Sequence, residues 1–174
     1  MNSIALKQEL SKPREVEFKA FLDANVRIVY KVCRLYSNTE EEFQDFIQEV
    51  VLQMWRSFQS FRGESKASTW VYRVALNVCL SQLKLKKRKL PERSLEEEFY
   101  DQVEELYDDT YDERARMLYS AIKQLKEVDR ALILLYLEDK SYEEIAGIMG
   151  ISTSNTGVKI NRIKKQLSKI IHGK

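Results

Sequence analysis

The side chains whose types and spacing could do chemistry lie toward the C-terminus. From Ser141 the chain reads Ser-Tyr-Glu-Glu-Ile-Ala-Gly-Ile-Met-Gly-Ile-Ser152, and from Ile145 onward it holds no Asp or Glu. Over that same stretch Lys159, Arg162, Lys164, Lys165, Lys169 and Lys174 are basic. A segment of one charge sign attracts phosphate, and here it would sit on a helix. The spacing predicts a helix-turn-helix, which presents its second helix to the DNA major groove. Chemistry of the other kind is poorly supplied. His172 is the only histidine and lies at the very end, so histidine acid–base work and a metal site are not expected. No cluster of activated Ser or Tyr with convergent Arg, as a DNA recombinase needs, appears in the first half. No cofactor is expected.

Local signals say how that second helix would be held. Ser141 and Glu144 have the S-x-x-E spacing of a capping box. Tyr142, Ile145, Ala146 and Met149 share one helical face, and small Ala146 permits a close crossing. Gly150 suits a left-handed C-cap, Ile151 a core plug and Ser152 the next N-cap. Thr156, Ile160, Ile163 and Leu167 then form a buried stripe, continued by Ile170 or Ile171.

The rest of the chain reads as helices too. Among 174 residues there are only two Pro and five Gly, too few for a turn-rich sheet protein. Phe18, Phe21, Leu22, Val26, Val29, Cys33 and Tyr36 recur at helical spacing over 15–36, and Phe43, Phe46, Ile47, Val50, Val51, Met54 and Phe58 do so next. After a Gly63-containing connector, Ser68 is placed to cap a third helix carrying Trp70, Val71, Val74, Ala75, Val78 and Leu83. That helix ends in the basic block Lys84, Lys86, Lys87, Arg88 and Lys89. Composition switches at Pro91: eleven acids and only one base, Arg93, occupy 92–113. Such a stretch is a linker. Ala121, Ile122, Leu125 and Val128 open a second bundle, and 130–138 reads as its central core helix. The expectation is an all-α chain of two small helical domains, 1–91 and 113–174, joined by an acidic linker over 92–112. The net charge of +2 conceals this segregation. Cys33 and Cys79 fall on apolar faces and read as buried free thiols of a reducing cytoplasm. The polar N-terminus and the lack of a long apolar run predict a cytoplasmic protein without membrane insertion.

Over nearly its whole length the chain resembles the bacterial sigma-70 family, in particular its extracytoplasmic-function (ECF) sigma factors. The resemblance is carried by Asp45-Phe-Ile-Gln-Glu-Val through Trp55-Arg56, by Phe61-Arg-Gly-Glu-Ser, and by Thr69-Trp-Val-Tyr-Arg-Val-Ala-Leu-Asn77. Leu125 with Arg130, Ser141-Tyr-Glu-Glu-Ile-Ala and Gly150-Ile-Ser152 carry it in the second half. It implies a region 2 bundle and a region 4 helix-turn-helix that bind core RNA polymerase and direct promoter-specific initiation. Asp45, Gln48, Glu49 and Gln53, extended by Arg56, would bind the polymerase. Phe61, Arg62, Gly63, Glu64 and Lys66 would pocket a flipped base. Trp70, Arg73 and Asn77 would recognise and melt the −10 element. Melting calls for aromatic faces, amides and cations, which Trp70, Tyr72, Arg73, Asn77, Gln82 and the basic block supply. Trp70 also suits a core anchor. Reading of the −35 element would fall to Ser154, Asn155, Gly157, Val158, Lys159, Asn161, Arg162 and Lys165. The resemblance further implies promoter DNA and an anti-sigma factor as partners.

Two positions depart from the common pattern of that family: Gly157 and Val158 stand where Lys or Arg and Ser are frequent. Gly157 would let the helix backbone approach phosphate or sugar, and Val158 would pack on a thymine methyl. Asn161 and Arg162 are then best placed for bases, and a different −35 preference follows. The acidic linker is open to two readings, a polyanion threading a basic polymerase channel or a spacer that keeps two modules apart. An ordinary repressor is the rival function, and it would dimerise on palindromic sites unaided.

Overall fold

The computed structural model describes residues 3–89 and 113–173, with side chains from Arg14 to Arg88 and from Glu113 onward. The acidic linker lies outside the described residues. Seven α-helices make up the described chain: α1 (Ser3–Tyr36), α2 (Glu40–Ser57), α3 (Ala67–Lys89), α4 (Glu113–Lys123), α5 (Glu127–Leu137), α6 (Tyr142–Met149) and α7 (Thr153–His172). A single 3-10 turn at Phe58–Ser60 follows α2.

Helices α1, α2 and α3 close on one another around Val29, Val32, Phe46, Val50, Met54, Val71, Ala75 and Leu76, all buried. Each such side chain contributes about 1.5–3 kcal/mol relative to exposure for the larger types. Thr39 caps α2 by accepting from the Glu42 N–H at 3.1 Å, and Glu40, Glu41 and Glu42 oppose the positive end of the helix dipole. Cys33 and Cys79 are free and buried in this core, as expected. The neighbouring Cys33 side chain, together with burial, pushes the Cys79 thiol well above its usual range.

Helices α4 to α7 form the second bundle, around Ile122, Leu125, Leu132, Leu135, Ile145, Ile160, Ile163 and Leu167. Four details differ from the sequence expectation. Helix α1 begins at Ser3, well before Glu15, running through Pro13. Ser68 lies inside the first turn of α3 rather than capping it, and its hydroxyl meets Lys140 Nζ of the other bundle at 3.5 Å. Val128 and Leu137 point outward, so α5 is apolar on more of its circumference than it buries. Tyr72 is 2% exposed and belongs to the interior, not to a stacking surface.

The two bundles rest on each other, with α3 lying against α5 and α6. Tyr36 donates to the Glu127 carbonyl at 2.8 Å, and Lys123 Nζ donates to the Ser37 carbonyl at 2.9 Å. Nothing in the periodicity of either half announces these contacts.

Candidate nucleic-acid interface

The helix-turn-helix forms from the signals that predict it. Ser141 Oγ accepts from the Glu144 N–H at 3.2 Å, and Glu144 Oε2 accepts from the Ser141 N–H at 3.0 Å, completing the capping box. Gly150 has φ 67°, a left-handed conformation that side-chain-bearing residues adopt at a cost, and its N–H reaches the Ala146 carbonyl. Ser152 Oγ accepts from the Asn155 N–H at 3.3 Å and so starts α7. Thr156, Ile160, Ile163 and Leu167 are buried. That leaves Ser154, Asn155, Val158, Asn161, Arg162 and Lys165 on the exposed face, with Lys159 at its edge.

Two residues of this face behave differently from expectation. A Cβ on Gly157 would lie 3.4 Å from the Tyr142 ring of α6, at the edge of ordinary contact, so its small size also eases the crossing of α6 and α7. Arg162 extends its guanidinium back to Asp129 of α5, at 3.1 and 3.3 Å from the two carboxylate oxygens. Asp129 is buried, so this pair braces α7 against α5. With its side chain 61% exposed, Arg162 still offers donors to a ligand. Val158, 69% exposed, is the most prominent apolar group on the face.

The first bundle gathers the other predicted residues. Asp45, Gln48, Glu49 and Gln53 all sit on the exposed side of α2. A groove of about 420 Å³ between α2 and α3 joins Glu49 and Gln53 to Trp70, Asn77 and Gln82. A second recess beside it is lined by Asp45, Gln48, Glu49, Gln82 and Lys86. Lys86 donates to Glu42 at 2.7 Å. Burial alone would raise the Glu42 carboxyl, but the Lys86 bond and the Asn38 N–H outweigh it and hold the pKa below the usual range. Trp70 is half-buried, its ring 5.2 Å from Phe61 and 5.6 Å from Phe21. It therefore anchors the connector to the core while lining the groove. Gly63, with φ 71°, makes the turn that exposes Arg62 and Glu64.

Along the edge of α3 that faces the second bundle, the expected DNA donors are already engaged. Lys66 Nζ donates to Glu144 at 2.9 Å and Arg73 donates to the Gly147 carbonyl at 2.8 Å. Tyr72 donates to Glu138 at 3.0 Å, and the same carboxylate meets Lys31. Burial, then the Glu138 charge, raises the Tyr72 phenol. Lys87 pairs with Glu127. Glu127, Glu138 and Lys31 were invisible to sequence reasoning, because their partners lie far along the chain and no motif marks them. Among the described residues no group of His, Cys, Asp and Glu could hold a metal ion, and no helix is long and apolar enough to cross a membrane.

Comparison with known proteins accounts for both bundles. The family described as Sigma-70 region 2 matches residues 21–89, and that described as Sigma-70, region 4, matches 115–167. The ECF RNA polymerase sigma-E factor of Haemophilus influenzae is 32% identical over 162 residues, covering 86% of each chain. The RNA polymerase sigma-H factor of Pseudomonas aeruginosa is 31% identical over 142 residues, covering 75% of this chain and 74% of that one. In structure the chain is similar to the sigma factor RpoE of Bartonella quintana, solved with the anti-sigma factor NepR. The TM-score is 0.67 at 17% identity, over 92% of this chain and 98% of that one.

Proposed function

The chain belongs to the sigma-70 family, in its ECF group, and from that premise we propose how its surfaces divide the work of starting transcription. It is an RNA polymerase sigma factor acting in transcription initiation. Residues 1–91 form the polymerase-binding and −10 module, 113–174 the −35 module, and 92–112 the acidic connection. Asp45, Gln48, Glu49 and Gln53 dock on core polymerase, because α2 turns all four outward. Phe61 to Lys66 with Trp70, Arg73 and Asn77 receive the unpaired −10 strand. Stacking on an aromatic, an amide for base edges and cations for the backbone are what that task requires. Helix α7 enters the major groove at −35 through Asn155, Val158, Lys159, Asn161 and Lys165, with Arg162 contributing while bonded to Asp129. Catalysis belongs to the polymerase, and this chain works in the cytoplasm with an anti-sigma factor as a further partner.

The observation that carries this reading is the groove in which Glu49 and Gln53 of α2 meet Trp70 and Asn77 of α3. A helix-turn-helix alone suits any repressor. A polymerase-docking face continuous with a strand-binding groove suits an initiator, since the melted strand must emerge beside the enzyme. The test is run-off transcription from an asymmetric two-part promoter with core polymerase and this chain as the only initiator. A defined start site is expected. Polymerase that gains no selectivity, with the chain binding palindromic DNA unaided, would refute it.

A further inference from the structure

On the assignment of α7 to the −35 element, we propose that Asp129 of α5 is a positioning residue for base reading. Its carboxylate presets the Arg162 guanidinium so that the free side of the fork meets one guanine in the major groove. Both bonds to the carboxylate run from Arg162 Nη2, at 3.3 Å to Oδ1 and 3.1 Å to Oδ2. Nη1 and Nε keep their donors for a ligand, and the side chain is 61% exposed. Guanine offers two acceptors, O6 and N7, side by side on its groove edge, and the planar fork of an Arg matches them. Asp129 is 6% exposed and lies in the first turn of α5, where the helix dipole favours a carboxylate. Helix α5 packs directly on α7, so the carboxylate is one fixed corner of a rigid frame. Its charge also offsets that of Arg162, which suits a base edge better than a phosphate.

The rest of the face singles out Arg162. It is the only Arg of α7, whose other cations are Lys159, Lys164, Lys165, Lys169 and, when protonated, His172. Lysines serve phosphates as point charges and lack the fork. One turn before Arg162 stands Val158, exposed and without a donor, and beside it Gly157, without a side chain. Asn155 and Asn161 carry amides, which suit adenine. A long side chain left free would lose its rotamer freedom on meeting the base. Asp129 takes that loss at folding instead of at binding, which is preorganisation. Such ordering matters only on sites that carry the guanine, so without Asp129 the preference for guanine falls. A brace that merely steadied α7 would affect every sequence alike.

The experiment uses core polymerase carrying the full chain and a pool of duplexes randomised over the −35 and −10 segments, with the bound fraction sequenced. The wild type is expected to enrich a guanine at one −35 position, and Arg162→Ala to lose it at that position. Asp129→Asn removes the charge at nearly constant volume. It is expected to lower the guanine preference roughly two- to ten-fold while the other −35 preferences stay in place. Asp129→Glu, which keeps the carboxylate, is expected to restore most of the loss. Arg162→Ala alters an exposed side chain, so it tests the guanine even where an Asp129 variant does not fold. A guanine preference left intact in Asp129→Asn, whatever happens to overall affinity, would overturn the proposal. So would a guanine that survives Arg162→Ala, or a wild-type −35 preference that contains none. A wild-type polymerase complex that enriches no sequence at all would instead sink the sigma-factor reading on which the proposal rests.

Discussion

Lys123 is 7% exposed, and its ammonium donates to the Ser37 carbonyl of the other bundle at 2.9 Å. Burial lowers its pKa from 10.5 to about 8; Arg130 and Arg34 push the same way and Glu42 resists. When the bundles part or the chain unfolds, the amine returns to water and to its ordinary value. Between those two pKa values the unfolded chain binds more protons than the folded one, so stability must rise with pH there. Below pH 8 both states are protonated and the penalty of the buried charge is fully present. From these two values the gain between pH 7 and 9.5 is about 2 kcal/mol. Cys79, Tyr36 and Tyr72 work in the opposite sense: their raised folded pKa values lose stability as pH climbs past the unfolded thiol and phenol. Those groups are common to wild type and a Lys123→Met variant, so the difference between the two isolates the lysine. Urea unfolding at pH 7, 8, 9 and 9.5 should show wild type gaining about 2 kcal/mol on the variant across that range. A gap that stays constant with pH would refute the reasoning, since it would mean that Lys123 titrates alike in both states.

Other substitutions separate structure from function. Asn77→Ala, at an exposed position of the groove, should change unfolding stability by less than about 0.5 kcal/mol yet lower run-off transcription on a −10 promoter. Val158→Ser should leave thermal stability unchanged, because the side chain is exposed, and should weaken discrimination for one thymine in the −35 element by about 1 kcal/mol, read by competition binding. Asp129→Ala should destabilise the second bundle, measured by thermal unfolding, because Arg162 loses the carboxylate that braces α7 against α5. Ile163→Ala, fully buried between the helices of that bundle, should cost about 2–5 kcal/mol in chemical denaturation.

Local rules made much of the molecule legible. The reciprocal bonds of Ser141 and Glu144, the left-handed Gly150 and the buried stripe of α7 depend on residues within a turn or two of one another, and the sequence displays them together. The core faces of α1 and α2 follow from period alone. Ser68 misled because a hydroxyl before an apolar run is a good cap only if the helix starts after it, and Ala67 starts α3 one residue earlier. Tyr72 misled for a different reason. Its neighbour Arg73 is exposed and Trp70 half-buried, but one step of helix rotation carries Tyr72 beneath the second bundle, where Glu138 receives its hydroxyl. Periodicity says which residues share a face and is silent about what covers that face.

The same silence explains why Arg162 and Arg73 looked freer in sequence than they are in space. A guanidinium makes five donors available and does not distinguish a phosphate from a carboxylate or a helix carbonyl. Arg162 spends part of that capacity on Asp129 within its own bundle, a partner 33 residues away that DNA binding need not displace. Arg73 spends its capacity on Gly147 of the opposite bundle, a partner that separation of the bundles removes. Two arginines expected to meet DNA at different promoter elements thus differ in kind. On the proposed −35 role, Arg162 can keep Asp129 while its exposed donors meet DNA, so its removal should lower stability and binding together. On the proposed −10 role Arg73 cannot hold Gly147 and a DNA strand at once, so Arg73→Ala should loosen the contact between the bundles and, separately, weaken promoter opening. Measuring unfolding of the second bundle and promoter opening on both variants distinguishes the cases. Arg162→Ala should shift both readouts, and Arg73→Ala should shift promoter opening while leaving the second bundle's own stability intact.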